Sequence, residues 1–166
     1  MLKDLITAEE ARQLFFYNPD TGDLRWRVNR GRIRAGTLIR APNVRGYYQV
    51  MYRKRNYKVH RVAWLIHYGE WSLLELDHIN GICNDNRIAN LREASHAENS
   101  RNGRVRSTNS SGFKGVCWHK AAKKWQAQIT VDGSNKHLGL FLTAEAAHAI
   151  YRKAAAELHG EFANFG

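Results

Sequence analysis

The spacing of apolar residues changes several times along the chain, and each change predicts a new element. A short helix is expected from Ala8 to Phe16, after which the turn "NPDTGD" opens a stretch of alternating polar and apolar residues. That stretch, "LRWRV", "GTLIR" and "GYYQVMYRKRNYKVH", reads as β-strands. In "HRVAWLIHYGEW" the period lengthens, with Val62, Leu65, Ile66 and Gly69 at helical spacing. From Arg101 to Gly112, "RNGRVRSTNSSG" is polar and basic with no hydrophobic period, as expected of a linker. Three further strands follow, "FKGVCWHK", "KWQAQITV" and "NKHLGLFL", separated by "AAK" and "DGS" turns. A last helix begins at an N-cap, Thr143, and carries Ala147, Ile150, Ala154 and Leu158 as its expected apolar face, with Gly160 at its C-terminal end. Its alanines suit close packing on a sheet. The pattern predicts an α+β fold: a β-rich domain over residues 1–102, a linker over 103–111, and over 112–166 a small three-stranded antiparallel sheet packed on one helix.

At 166 residues and 43% apolar content the chain can bury a real core, either one ordinary domain or two small ones. Charge narrows the partner. The formal net charge is +11, and a surplus of this size favours a polyanion such as nucleic acid or an acidic membrane surface. It is shared: residues 1–103 hold 17 basic and 11 acidic side chains, and residues 104–166 hold 9 and 4. No run of eighteen apolar residues occurs and the N-terminal "MLKDLITAEEARQLF" has no apolar signal core, so a soluble, unexported protein is expected. Cys83 and Cys117 stand far apart without a CxxC or Cys/His cluster, which argues against a disulfide framework or structural zinc site.

The chemistry is concentrated in "LDHINGICNDNRIANLR", Leu76 to Arg92. Phosphodiester cleavage near neutral pH can be done with a divalent metal that withdraws charge and a base that activates water. Magnesium takes a few hard oxygen ligands and keeps several waters, so one carboxylate and one amide oxygen can hold it. Asp77 and His78 are neighbours and would point to opposite sides of a regular strand, so a bent hairpin entrance is required to use both. Downstream, Ser95 and Glu98 make a capping box that starts a helix, with Asn99 on its second turn. Asn90, where the hairpin returns, is better placed to fix the loop through hydrogen bonds to backbone than to bind metal. The plainer reading is a surface loop, since Asp, Asn and Gly are the commonest turn residues. A calcium loop of the EF-hand type is excluded, because Ile79 and Gly81 occupy its third and fifth positions. His60 reads as a cap or packing residue, His96 as an exposed residue at a helix start, and His67 has no evident partner. Arg61, Arg87, Arg92 and Arg101 are candidates to hold phosphates, although such residues are more often solvated surface charges.

Three segments, "VHRVAWLIHYGEW", "LDHINGICNDNRIANLREAS" and "AENSRN", together resemble the phage and homing-type HNH endonucleases, whose ββα-metal motif holds one divalent ion. The resemblance covers nearly all of residues 1–102. It implies that Asp77 is a metal ligand, that His78 is the general base, that Asn90 orients the loop carrying that base, and that Asn99 is the second ligand where other members have a final histidine. Asn80, Asn84 and Asn86 would be turn formers. One Mg2+ or Mn2+ ion is the implied cofactor.

"GFKGVCWHKAAKKWQAQITVDGSNKHLGLFLTAEAAHAIYRKAAAELHGEFANF" resembles the DNA-binding domain of plant ethylene-response factors, the AP-two domain, from Gly112 to Phe165. Val116, Trp125, Ala127, Ile129, Leu138, Phe141, Ala147, Tyr151 and Ala155 match its fold-defining positions. Contacts to DNA carried over by position fall on Lys114, Trp118, His119, Gln128, Thr130 and His137. Cys117 and His119 stand where the plant domain has arginines, so fewer bidentate guanine contacts are available and the plant target sequence does not transfer. The two resemblances imply a metal-dependent DNA endonuclease acting on double-stranded DNA in the cytoplasm of a bacterial or phage-infected cell. The rival is a non-cleaving, AP-two-like regulator with a degenerate nuclease half; an RNA partner is a further alternative, and the oligomeric state is open.

Overall fold

The computed structural model describes residues 5–103, 105 and 108–166. The expectation for the first four residues, and part of that for the linker, lies outside the described residues. The chain divides into two compact units, residues 1–95 and 96–166, so the helix after Ser95 groups with the C-terminal part.

In the first unit, helix α1 (Ala8–Leu14) starts with a reciprocal cap. The Thr7 hydroxyl accepts from the Glu10 amide at 3.1 Å and the Glu10 carboxylate from the Thr7 amide at 3.0 Å. The expected helix to Phe16 is too long. Phe15 and Tyr17 are buried and Phe16 is exposed, an alternation that makes Phe15–Tyr17 strand β1. It pairs antiparallel with β2 (Leu24–Trp26), setting Phe15 beside Trp26. The expected strand in "GTLIR" is also corrected: Leu38 makes an isolated bridge to Arg25, and the next strand is only β3 (Ala41–Pro42). β3 pairs with β4 (Tyr48–Tyr52), which pairs with β5 (Arg55–Lys58).

The turn between β4 and β5 places Arg53 and Lys54 in succession at φ 48° and 61°. Hairpin turns of this hand favour Asn-Gly, and a side chain in the left-handed region costs about 1–2 kcal/mol per residue. Helix α2 (Val59–Tyr68) follows and stops at Gly69, which takes the left-handed conformation of a C-terminal cap at φ 88°. It buries Val59, Val62 and Leu65 against Ile6, Phe15 and Leu24, each worth about 1.5–3 kcal/mol as apolar surface removed from water. Strands β6 (Glu75–His78) and β7 (Leu91–Ala94) complete this unit as an antiparallel pair.

The second unit begins with α3 (His96–Asn102), directly after the predicted cap residue Ser95. Strands β8 (Val116–His119), β9 (Lys124–Val131) and β10 (Ser134–Phe141) form an antiparallel sheet in the order β10-β9-β8. Helix α4 (Ala144–His159) is capped by the Thr143 hydroxyl, which accepts from the Ala146 amide at 3.1 Å. Its inward face is Ala144, Ala147, Tyr151, Ala155 and His159; of the expected stripe Ala147 is buried and Ala154 packs on the core, whereas Ile150 and Leu158 are 38% and 44% exposed. Tyr151 sets this rotation, because its ring fills the space over Gly115, where any side chain would collide with it. The α+β class and the three-stranded sheet on one helix are as the sequence predicts.

Candidate active site

The β6–β7 pair sets the register that matters: Asp77 lies opposite Arg92, and His78 opposite Leu91. Asp77 and His78 are both buried. Successive strand residues still diverge. Asp77 Oδ2 accepts from Arg92 Nε at 3.0 Å and Nη2 at 2.9 Å, whereas His78 meets the His60 ring edge-on at 4.9 Å and the Tyr47 ring at 5.8 Å. His78 Nε2 donates to Asn86 Oδ1 at 3.3 Å. An amide oxygen only accepts, so this bond selects the neutral tautomer whose basic lone pair is on Nδ1. Burial pushes the His78 pKa below the ordinary imidazole range, although the Asn86 bond and the Asp77 charge work the other way. His60 is lowered to about 2, first by burial and then by His78, Lys58 and Arg61. Both rings are therefore neutral at neutral pH.

The loop between the strands is braced by its own side chains. Asn90 Oδ1 accepts from the Asn80 amide at 3.0 Å, and its Nδ2 donates to Asn80 Oδ1 at 3.0 Å and to the Asp85 carbonyl at 2.8 Å. Asn80 also receives the Ile82 amide at 2.9 Å and donates to Asp85 Oδ2 at 2.7 Å. The Arg87 guanidinium holds the Asp85 carboxyl down at about 2, against burial and with help from Asn80. Asn84 is exposed and reaches the Tyr48 hydroxyl at 3.4 Å. Asn86 departs from the expected turn-forming role: it is buried, bonded to His78, and its carbonyl receives the Tyr17 hydroxyl at 2.8 Å. Gly22 lets the chain pass here, since a Cβ on it would lie 2.5 Å from the Arg87 amide nitrogen.

The four candidate phosphate-holding arginines each have a protein partner. Arg92 pairs with Asp77, and Arg87 binds Asp85 through Nε at 2.8 Å and Nη2 at 2.6 Å. Arg61 donates to the Ser72 and Leu74 carbonyls at 2.9 and 3.3 Å. Arg101, in the second unit, lies 3.6 Å from Asp132. Asn99 is half-buried on α3. Among the described residues no three or more His, Cys, Asp or Glu side chains gather as a metal-binding group. By type, a carboxylate such as Asp77 and an amide oxygen such as Asn99 are hard oxygen donors suited to a divalent cation that keeps most of its water.

In the second unit the register sorts the six expected DNA contacts. His119, Gln128, Thr130 and His137 share the sheet face turned away from α4, with His137 paired to Gln128 and His119 to Lys124. Trp118 is on the opposite face, edge-on to Trp125 at 5.1 Å and 44% exposed, because adjacent strand residues alternate. Lys114 is half-buried and donates to the Arg101 and Gly103 carbonyls at 2.6 and 2.5 Å, and burial lowers its pKa to about 8. His119 Nδ1 accepts from the Ala122 amide at 3.1 Å, closing the β8–β9 turn. Sequence reasoning missed Tyr47 and the contact of His60 and Asn86 with His78. The one available signal was the second histidine itself, which stands in the first turn of α2 and is buried there rather than capping the helix.

Three comparisons bear on this geometry. Residues 57–101 match the family model for HNH endonucleases. Protein 3.8 of Escherichia phage T7 is 37% identical over 90 residues, which are 54% of this chain and 74% of that protein. A solved structure concerned with DNA binding and cleavage by the HNH homing endonuclease I-HmuI aligns over 87% of this chain and 84% of its own, at 19% identity and a TM-score of 0.39.

Proposed function

The chain belongs to the HNH endonuclease family, and from that premise we propose that it is a metal-dependent endonuclease that hydrolyses double-stranded DNA. The observation that carries the reading is His78, a buried neutral imidazole whose Nε2 bonds to Asn86 Oδ1, on the strand that also carries the buried Asp77. His78 takes a proton from water, the water oxygen attacks phosphorus, and the bond from phosphorus to the 3′ oxygen breaks. The products carry a 5′ phosphate and a 3′ hydroxyl, whose proton comes from solvent. Magnesium or manganese, when bound, supplies the positive charge that stabilises the scissile phosphate and the departing oxygen. Asp77 is its proposed ligand, and Asn99 enters as the second ligand by the family resemblance. Asn90 holds the base-bearing loop through its three hydrogen bonds to Asn80 and Asp85.

The second unit is proposed as an AP-two-like DNA-binding module that uses the open sheet face of His119, Gln128, Thr130 and His137. A sheet of this size fits the major groove, where such side chains meet base edges and phosphates. Among the described residues no helix is long and apolar enough to cross a membrane; the phage relative supports action inside a bacterial host cell.

The test is supercoiled plasmid incubated with the purified chain, with magnesium or with chelator, beside the Asp77→Ala variant. Metal-dependent nicking or linearisation that the variant lacks is the expected result. Binding without cutting in every metal tried would refute the nuclease reading and favour a non-cleaving regulator.

A further inference from the structure

Between residues 25 and 34 the chain places five arginines and no acid. Arg25 is tied to Asp23 at 3.0 Å, whereas Arg27, Arg32 and Arg34 are exposed. Arg30 fastens this loop to the β4–β5 hairpin: its guanidinium lies 5.5 Å from the Trp26 ring and 5.0 Å from the Tyr52 ring, and Nη1 donates to the Met51 carbonyl at 3.0 Å. Arg53, at the hairpin tip, lies over the same Tyr52 ring at 5.1 Å. Loop and tip are therefore one surface, with Lys54 and Arg55 exposed beside them. Arg53 lies 2.9 Å from Glu10, and its side chain is still 66% exposed.

Two features of this surface are unfavourable in the isolated protein. Like charges are gathered within two short segments, and the turn uses Arg-Lys at two consecutive left-handed positions where Asn-Gly is favoured. Strain kept at an exposed, charged turn points to a function for those side chains. We propose that the hairpin tip, Arg53 to Arg55, and the loop arginines Arg27, Arg32 and Arg34 form a clamp on the sugar–phosphate backbone of duplex DNA, separate from the cutting site. The inference rests on the reading of this chain as one that works on DNA. It places the clamp on the same strand that leads into the site: β5 runs from Arg55 to Lys58, whose ammonium lies 4.8 Å from the ring of Tyr47, and α2 then delivers His60. From Lys54 to Lys58 the strand advances about 13 Å at ~3.3 Å per residue, which is about four base-pair steps of DNA. The clamp thus holds the backbone a few base pairs to one side of the cut.

The experiment is a binding titration on linear mixed-sequence duplex DNA in chelator, over a series of salt concentrations, with the Arg53→Asn/Lys54→Gly double variant. This variant gives the turn its favoured residues, so its thermal midpoint should not fall. Its affinity should drop by about ten- to a hundredfold at ~0.1 M salt, and the slope of log affinity against log salt should shrink by about 2, one per lost phosphate contact. The triple variant Arg27→Gln/Arg32→Gln/Arg34→Gln should act in the same direction. An unchanged slope, even with weaker binding, would overturn the clamp, as would a loss confined to double-stranded RNA with DNA binding intact. Because the readout is binding without metal, a chain that proves unable to cut leaves this result unaffected.

Discussion

His60 offers a quantitative test of the buried imidazole pair. Its ring stays neutral in the folded chain down to a pH of about 2, against an ordinary value of 6.5, because burial excludes the charged form. The unfolded chain binds a proton below 6.5 and the folded chain does not, so the contribution is fully present above 6.5 and is lost as pH falls. At pH ~5 the gap is about 1.5 units, or about 2 kcal/mol of lost stability from this residue alone. His78, lowered for the same first cause, adds to the loss in the same direction. The perturbation is His60→Phe, which keeps an aromatic ring against Tyr47 and His78 but cannot titrate. The assay is urea unfolding near pH 7 and near pH 5 in a background carrying Trp118→Phe and Trp125→Phe, so that Trp26, Trp64 and Trp71 report the first unit. The parent should lose about 2 kcal/mol more than the variant between the two conditions. Equal losses would refute the buried neutral pair, since a solvated His60 would titrate alike in both states.

His78→Ala should abolish plasmid cleavage and leave affinity for linear duplex nearly intact in a gel-shift assay; parallel loss of both would contradict its role as base. Asn90→Ala removes three hydrogen bonds and strands polar groups on Asn80 and Asp85, so urea unfolding should register about 2–3 kcal/mol of destabilisation. Gly22→Ala combines φ 75° with a Cβ 2.5 Å from backbone and should cost more than the ~1–2 kcal/mol of left-handed strain alone, whereas Gly31→Ala, at φ 58° with nothing within 4 Å, should cost only the strain. On the sheet, Gln128→Ala and His137→Ala should each weaken duplex binding by about 1 kcal/mol, roughly fivefold, in a filter-binding assay, with Trp118→Phe close to neutral.

What the residues disclosed and what they concealed follow one division. Thr143 and Asn90 were legible because their work is local: a cap or a loop brace is decided within a few residues. Phe15 and Phe16 were misassigned because two adjacent aromatics suit the end of a helix as well as a strand, and only pairing with β2 makes Phe15 an inward strand residue. The face of α4 was misread because helical periodicity offered two apolar stripes; Gly115, from another element, chose the one bearing Tyr151. Trp118 was grouped with its neighbour His119, although register sends them to opposite faces. The asparagines divide in the same way. Asn80 and Asn90 brace one loop and belong to its local chemistry, while Asn86 acts through His78 and depends on Tyr17 and Gly22, which come from a distant hairpin. A motif of this kind therefore encodes its own loop, and the state of its base depends on residues far outside it: Tyr47 and His60 supply the burial that keeps His78 neutral, and neither belongs to the loop that carries it.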